Sequence, residues 1–422
     1  RLRMDREIFI VGAGASGLAA AVTAARAGAK VCVAERMDKA GKKILATGNG
    51  KCNYTNRNIS EACYRSENPA FISAFVRRCR WEDTVDFFHR LGIYPKERDG
   101  YFYPNSEQAS SVRDVLLQAC EQLGVNFVFG EEVTDIRARQ GGFQIKTKTH
   151  HFEASSVIIA AGGRAYPKLG SNGSGYILAK GLSHDIVPVV PALCGLRCLG
   201  KWGQKPEAFW KKVAGVRADA EVSLKIGGVT AAKDTGQVQL TGYGISGIPV
   251  FQISRFAARA LTEGKKAEAW IDFFPKLDRE TLFSELKFRC RGNGPAAQMM
   301  TGLVNDKLIP IFLEAAGIAA GTKACTLKNS RLSRLVQAMK QFDIQICKTN
   351  TFDEAQVCAG GVNTLQVDFK TMASKKQKGL YFSGEILDVD GICGGYNLHF
   401  AWQTGMIAGQ SAAAYVKEGK VC

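Results

Sequence analysis

The amino-acid sequence predicts an α/β fold in which a parallel sheet flanked by helices is interrupted by a separate insert. Three observations carry this. Residues 7–34 read as strand, glycine-rich turn, helix and strand. Two later runs, 157–161 and 379–383, are continuously apolar, as strands buried on both faces are. The texture of the chain changes near Val187 and returns near Ala359.

Taken in order, residues 7–11 are a β-branched and aromatic run, and the Ala-rich residues 18–27 follow a tight turn and are closed by Gly28. Residues 30–34 are strand-like again, so the segment is a βαβ unit with Gly28 as helix C-cap. Residues 69–92 and 106–124 carry helical amphipathic patterns. Residues 125–129, 133–138, 143–147 and 151–152 alternate like a small antiparallel layer. Beyond Val187, prolines 188 and 191, many glycines and alternating runs at 220–226 and 237–240 predict a β-rich insert. Residues 277 to about 340 turn helical, with Leu282, Leu286, Met299, Leu303, Leu308, Ile311 and Leu335 among basic and polar neighbours. Residues 397–418 predict a last helix. The expected domains are residues 1–190 with 355–422, a β-insert of 191–276 with 337–354, and a helical subdomain of 277–336.

The 422 residues, 46% hydrophobic, exceed one ordinary core. Thirteen cysteines without a disulfide-like spacing place the chain in a reducing compartment, the cytoplasm. Residues 8–25 follow Arg1, Arg3 and Arg6 and mimic a secretory h-region, but their glycine order argues for a nucleotide turn instead. The three residues before Met4 read as an added remnant. No uninterrupted apolar run is long enough for a membrane span. The net charge of +17 draws anions: dinucleotides, acidic metabolites, phosphate backbones or anionic lipids. Short basic pairs such as Arg77-Arg78 and Lys211-Lys212 favour a solvated basic face over a dedicated nucleic-acid site, which stays open as a possibility.

Residues 12–17, Gly-Ala-Gly-Ala-Ser-Gly, spell G-x-G-x-x-G between the first strand and helix. Gly12 permits the tight turn, Gly14 lets backbone approach a pyrophosphate, and Gly17 allows close helix–sheet packing. With Ala15 and Ser16 at the helix N-terminus, this is a cradle for phosphate charge. Glu35 ends the next strand, where a carboxylate binds the ribose hydroxyls of an adenosine.

A second tract, residues 41–56, includes Lys42, Lys43, Thr47, Gly48, Asn49, Gly50, Lys51, Cys52 and Asn53. Its wealth of backbone donors suits a polar, planar, phosphorylated ligand, and nicotinamide dehydrogenases need no such loop. Its complement is Gly384-Glu385 just after a buried strand, then Asp388, Asp390 and the turn Gly394-Gly395-Tyr396-Asn397 before an apolar helix. Glu385 is the preferred contact for ribitol hydroxyls, and the helix N-terminus suits negative charge on the pyrimidine edge of a reduced flavin. The cofactor is therefore expected to be FAD.

These segments, with Ala160-Ala161-Gly162-Gly163 and residues 170–176, resemble the bacterial NAD(P)/FAD-dependent oxidoreductases of the BaiN and aminoacetone-oxidase-like type, the YhiN-like flavoproteins. The resemblance spans nearly the whole chain. It implies an FAD domain of the glutathione-reductase superfamily, Rossmann-like, interrupted by a β-barrel and a small helical subdomain. Arg36, Val133, Ala161, Gly162 and Gly163 complete the expected FAD contacts. The usual Ala-Thr-Gly-Gly strand end is here Ala160-Ala161-Gly162-Gly163, one hydroxyl fewer. Known activities of the family include amine oxidation and reduction of conjugated steroid double bonds, so substrate does not transfer with fold.

Cys52 stands alone where disulfide reductases of that superfamily carry two cysteines, which rules out a dithiol relay. Cys194 and Cys198 lack the second pair or histidine that a metal site needs, so no metal is expected. No second G-x-G-x-x-G occurs, so NAD(P)H is expected only as a transient electron donor in a cleft between the FAD domain and the insert. Tyr396, Asn397 and His399 are the weak candidates for catalysis. The expected function is NAD(P)H-linked reduction of an unsaturated or carbonyl-conjugated small molecule. The alternatives are a peroxide-forming amine oxidase and an RNA-binding or RNA-modifying flavoprotein, the last resting on the charge and on a helical part that, in the family, resembles an RNA-associated module.

Overall fold

The computed structural model describes residues 7–419; residues 1–6, including Arg1, Arg3, Met4 and Arg6, lie outside the described residues, as do 420–422. The chain divides into two compact units, residues 7–190 with 356–419 and residues 191–355.

In the first unit the strands Leu380–Phe382, Ser156–Ile159, Ile8–Val11, Val31–Glu35 and Asn126–Phe129 lie side by side in that order. All four pairings are parallel. Every residue of Ile8–Val11 and Ser156–Ile159 is buried, which is why those runs carry no polar alternation. Asn126–Phe129 corrects the expected antiparallel layer: it is the edge strand of the parallel sheet, pairing Cys32 with Asn126 and Glu35 with Phe129. As an edge strand it is exposed at both ends and half-buried between, without the continuous burial of the central strands. The antiparallel layer holds three strands, Val133–Arg139, Gly142–Thr147 and His151–Ala154. The helical span at 69–92 is two helices, Pro69–Arg78 and Trp81–Arg90, because the extended Cys79 breaks the ladder and Asp83 turns back to the Arg80 N–H.

The helix Ala15–Arg26 crosses the C-terminal helix Tyr396–Glu418 at small residues. A side chain begun at Gly405 would lie 2.3 Å from the Ser16 carbonyl oxygen, and one at Gly409 2.4 Å from that of Ala20. The two backbones therefore touch, and this contact fixes where the C-terminal helix starts relative to the nucleotide turn.

In the second unit six strands close a barrel: Leu196–Cys198, Gly244–Ser246, Val229–Thr241, Arg217–Ile226, Ala267–Asp272 and Phe342–Thr349. The reading of this stretch as purely β-rich missed the helices Pro206–Val213 and Ile248–Thr262. Helix residues Leu282, Phe312 and Leu335 share one core with the barrel residues Ala269, Ile271 and Ile344. Phe312 packs edge-on against Phe273 and Phe342 at 5.2 and 6.1 Å. Among the described residues no helix is long and apolar enough to cross a membrane.

Candidate functional site

The nucleotide turn is built as its glycines require. Gly12 adopts φ +101°, and a Cβ there would meet the Ala160 carbonyl oxygen at 2.6 Å. A Cβ at Gly17 would lie 1.9 Å from the Gly12 oxygen. Gly14, by contrast, faces open space, with nothing within 4 Å. Backbone thus fills the inner side of the turn, and the side at the N-terminus of Ala15–Arg26 is free for a pyrophosphate to approach. Ser16 is not on that open side: its hydroxyl donates to the Ser383 carbonyl at 3.2 Å and ties the turn to the strand end before Gly384.

Glu35 is buried and accepts from the Ala13 and Met37 N–H groups, both at 2.8 Å. A carboxylate offers about four lone-pair sites, so two remain for ribose hydroxyls. Around it stand Arg36, whose guanidinium reaches the Gly170 carbonyl at 3.4 Å, and residue 131, whose N–H bonds the Glu35 carbonyl at 3.0 Å two positions before the buried Val133.

The second tract folds into short turns whose residues Gly48, Asn49 and Gly50 all have positive φ and stand exposed. Two of its lysines are engaged with carboxylates outside the expected contacts, Lys42 with Asp38 and Lys51 with Glu107. The Thr47 hydroxyl donates to the Ile44 carbonyl at 2.6 Å. Lys43 reaches across 342 positions to Glu385, Nζ to Oε2 at 2.8 Å. The other Glu385 oxygen accepts from the Cys358 N–H at 2.9 Å. A Cβ at Gly163 would be 3.1 Å from that carboxyl, and one at Gly162 would be 2.9 Å from Ser171 Oγ, so Ala161, Gly162, Gly163, Lys43 and Glu385 converge. Asp390 is buried and pairs through its backbone with Arg65.

Asn53 carries the clearest mark of a ligand contact. It is 8% exposed, its Oδ1 has no hydrogen-bond partner, and that atom lies 2.8 Å from where a Gly395 side chain would begin. Gly395 is the N-cap of Tyr396–Glu418, whose first-turn amides have no partner within the helix. An unmet buried acceptor beside unmet donors, with an open phosphate turn, fits a large polar dinucleotide. FAD fits these residues.

The structure places the three catalytic candidates in scaffold contacts. His399 is fully buried; its Nε2 donates to the Cys79 carbonyl at 3.2 Å, and its Nδ1 accepts from the Thr55 and Thr84 hydroxyls at 2.9 and 3.1 Å. Desolvation lowers its pKa from 6.5 to about 4, so it stays a neutral structural bridge. Asn397 spends its amide on the Gly391 N–H and carbonyl, at 2.8 and 2.9 Å. Tyr396 is 6% exposed, and burial and the neighbouring Cys63 push its phenol upward. Cys52 is sealed as well, its thiol pushed by burial up to about 12, which removes it as a redox nucleophile. Cys52, Cys63, Cys194, Cys198 and Cys358 are free thiols.

Sequence reasoning missed the strand Tyr101–Pro104. Tyr101 lies 3.1 Å from the Cβ position of Gly394, and Tyr103 lies 3.8 Å from that of Gly48, so this one strand touches both expected flavin segments. Nothing in its local sequence, Gly-Tyr-Phe-Tyr-Pro, marks it as functional; only pairing with Thr55–Asn56 brings it there.

Comparison with known proteins agrees with the cofactor. The chain is similar to the 3-dehydro-bile acid delta(4,6)-reductase of Clostridium scindens, 44% identical over 411 residues, covering 96% of this chain and 98% of the relative. It is also similar to the ribosomal RNA dihydrouridine synthases of Haemophilus influenzae and Escherichia coli. The first is 30% identical and covers 94% of this chain and 96% of the relative. The second is 28% identical and covers 97% and 99%. The model of the HI0933-like protein Rossmann domain matches residues 6–411. With an FAD-binding Rossmann domain and a six-stranded barrel, the chain belongs to the HI0933-like family of flavoprotein oxidoreductases.

Proposed function

We propose that the protein uses NAD(P)H to reduce a carbon–carbon double bond conjugated to a carbonyl, with a small molecule such as a 3-oxo-4-ene steroid as substrate. One observation carries the reading. Relatives named for very different substrates, a bile acid and a uridine of RNA, share one transformation: saturation of an alkene next to a carbonyl. The sealed Cys52 supports it further, since that thiol offers electrons no route out of the site.

Bound FAD supplies the two-electron redox chemistry. The protein's own part is holding and exclusion. Backbone at Gly12, Gly14 and Ala15 would take the pyrophosphate, and Glu35 with Arg36 the adenosine. Glu385, held by Lys43, would take ribitol hydroxyls, and Asn53 with the first-turn amides after Gly395 the flavin's polar edge. That helix end would favour negative charge on a bound flavin, which supplies the redox chemistry.

The test is anaerobic mixing of the holoenzyme with NADH or NADPH, followed by an oxidised acceptor. Bleaching of the flavin band near roughly 450 nm, then its recovery with a 3-oxo-4-ene steroid, is expected. No bleaching with either nucleotide, or no recovery with any conjugated carbonyl compound, overturns the proposal. Peroxide formed from an amine panel in air supports the oxidase alternative instead.

A second reading has uridine in RNA as the acceptor, supported by the net charge of +17 and by the two RNA-modifying relatives. It predicts RNA binding that weakens steeply with salt, and indifference to RNA at low salt ends it.

A further inference from the structure

Reduction of a conjugated alkene adds two electrons and two hydrogens. NAD(P)H, becoming NAD(P)+, accounts for two electrons and one hydrogen, and the second hydrogen must arrive as a proton at the carbon next to the carbonyl. A donor is therefore needed at the site. The expected ones are excluded by geometry: His399, Tyr396 and Cys52 are sealed, Asn397 is bound to the 391 backbone, and Glu385 is held by Lys43.

Apart from their chain neighbours, the groups nearest to where side chains at Gly394 and Gly395 would begin are Tyr396, Tyr101, Asn56, Asn53 and the Thr55 carbonyl. Asn53, Asn56 and Tyr396 are buried; Tyr101 is 38% exposed. Its hydroxyl makes no hydrogen bond to any described residue. The strand explains how it is presented. Phe102 points inward, 5% exposed and stacked on Trp81 at 5.0 Å, so Tyr101 and Tyr103 share the opposite face. Tyr101 pairs with Asn56, whose amide donates to the Gly394 carbonyl at 2.9 Å, which holds the strand and the turn in register.

We propose that Tyr101 is the proton donor of this reduction, with the Tyr103 ring beside it as part of the wall a planar substrate lies against. This rests on the reaction proposed above. In the step, the Tyr101 O–H bond breaks as the new C–H bond forms next to the substrate carbonyl. The phenolate then recovers its proton from water, which the exposure of the side chain admits.

The experiment compares wild-type and Tyr101→Phe holoenzyme, with Tyr94→Phe, a 70% exposed tyrosine outside the site, as control. Flavin content, melting temperature and the rate of bleaching by NAD(P)H are expected to agree within about twofold, because removing one exposed hydroxyl disturbs neither fold nor cofactor. Reoxidation of the reduced Tyr101→Phe enzyme by a 3-oxo-4-ene steroid is expected to slow about 100-fold, the low end of what a positioned general acid contributes. The solvent deuterium isotope effect on that step should change with it. Binding of the steroid to oxidised holoenzyme, read as a shift of the flavin band, should stay within about threefold. Unchanged reoxidation in Tyr101→Phe, with wild type active, overturns the role of Tyr101 alone. Slower reoxidation matched by equally weakened binding also overturns it, because that pattern belongs to a contact and not to an acid. A wild-type enzyme that bleaches but never reoxidises with the steroid overturns the reaction, and the proton donor falls with it.

Discussion

The nucleotide turn at residues 12–17 and the helix start at residues 394–399 are both glycine-led and both face the expected cofactor, yet they work in opposite ways. At the first, backbone does everything: Gly12 and Gly17 are pressed against carbonyl oxygens, and Gly14 opens to the ligand side. At the second, the side chains after the glycines are engaged internally; Asn397 holds the 391 backbone and His399 joins Thr55, Thr84 and Cys79. A backbone site advertises itself through the residue types that its geometry tolerates. A side-chain site does not, because the same histidine or asparagine serves equally well as internal scaffolding.

The largest expected effect separates the two glycine roles inside the first turn. Gly17→Val places a Cβ 1.9 Å from the Gly12 oxygen and 3.4 Å from the Ala160 methyl, with nothing flexible to yield. The cost should exceed about 4 kcal/mol, so folded holoprotein should not be recovered. Gly14 has nothing within 4 Å and an extended backbone that a side chain tolerates. Gly14→Val should therefore fold, with apoprotein stability within about 1 kcal/mol of wild type, and fail to retain FAD. Circular dichroism and flavin content measure both. Should Gly14→Val keep its FAD, the open space at this turn is not ligand space.

The next effect sharpens the other side of the comparison. His399 titrates at about 4 in the folded chain against 6.5 when free, so folding disfavours its charged form. Its contribution is then fully present above pH 6.5 and is lost as the pH falls from there toward 4, a total of about 3 kcal/mol. His399→Asn cannot titrate. It should be less stable at neutral pH by about 2 kcal/mol, since the Thr84 and Cys79 groups lose their partner, and it should lose less stability than wild type on acidification. Denaturant midpoints at pH 7.5 and 4.5 give the four numbers. Its rate of flavin reduction by NAD(P)H should keep the wild-type pH profile; a profile that changes would restore the histidine to the chemistry.

What could be read without the fold follows the same division. The parallel strands and the glycine turn were legible, because burial on both faces and glycine geometry restrict residue type locally, whereas the contact of Lys43 with Glu385 joins positions 342 apart and left no local mark. The edge strand Asn126–Phe129 was misread because it lacks the two-sided burial that marks the central parallel strands. Helix Ile248–Thr262 was lost among neighbouring strands. Tyr101 was illegible for a different reason: it acquires its position from a strand pairing with residues 55–56 and from a glycine turn almost 300 positions away, neither of which leaves a mark on its own neighbours.

Asn53 is where the two regions meet, and it carries the smallest effect and the most specific one. Its Oδ1 is buried, unpartnered and beside Gly395, so in the apoprotein it pays for desolvation and gains nothing. Asn53→Ala should leave the apoprotein as stable as wild type or slightly more so. The holoprotein should lose one neutral hydrogen bond, about 1 kcal/mol, which is roughly a fivefold weaker hold on FAD. The opposite signs are the point. An asparagine that merely braced the loop would destabilise the apoprotein when removed and change FAD affinity only through that loss. Fluorescence titration of stripped protein with FAD, set against the apoprotein's thermal midpoint, distinguishes the two, and a parallel fall in both would place Asn53 with His399 among the scaffold.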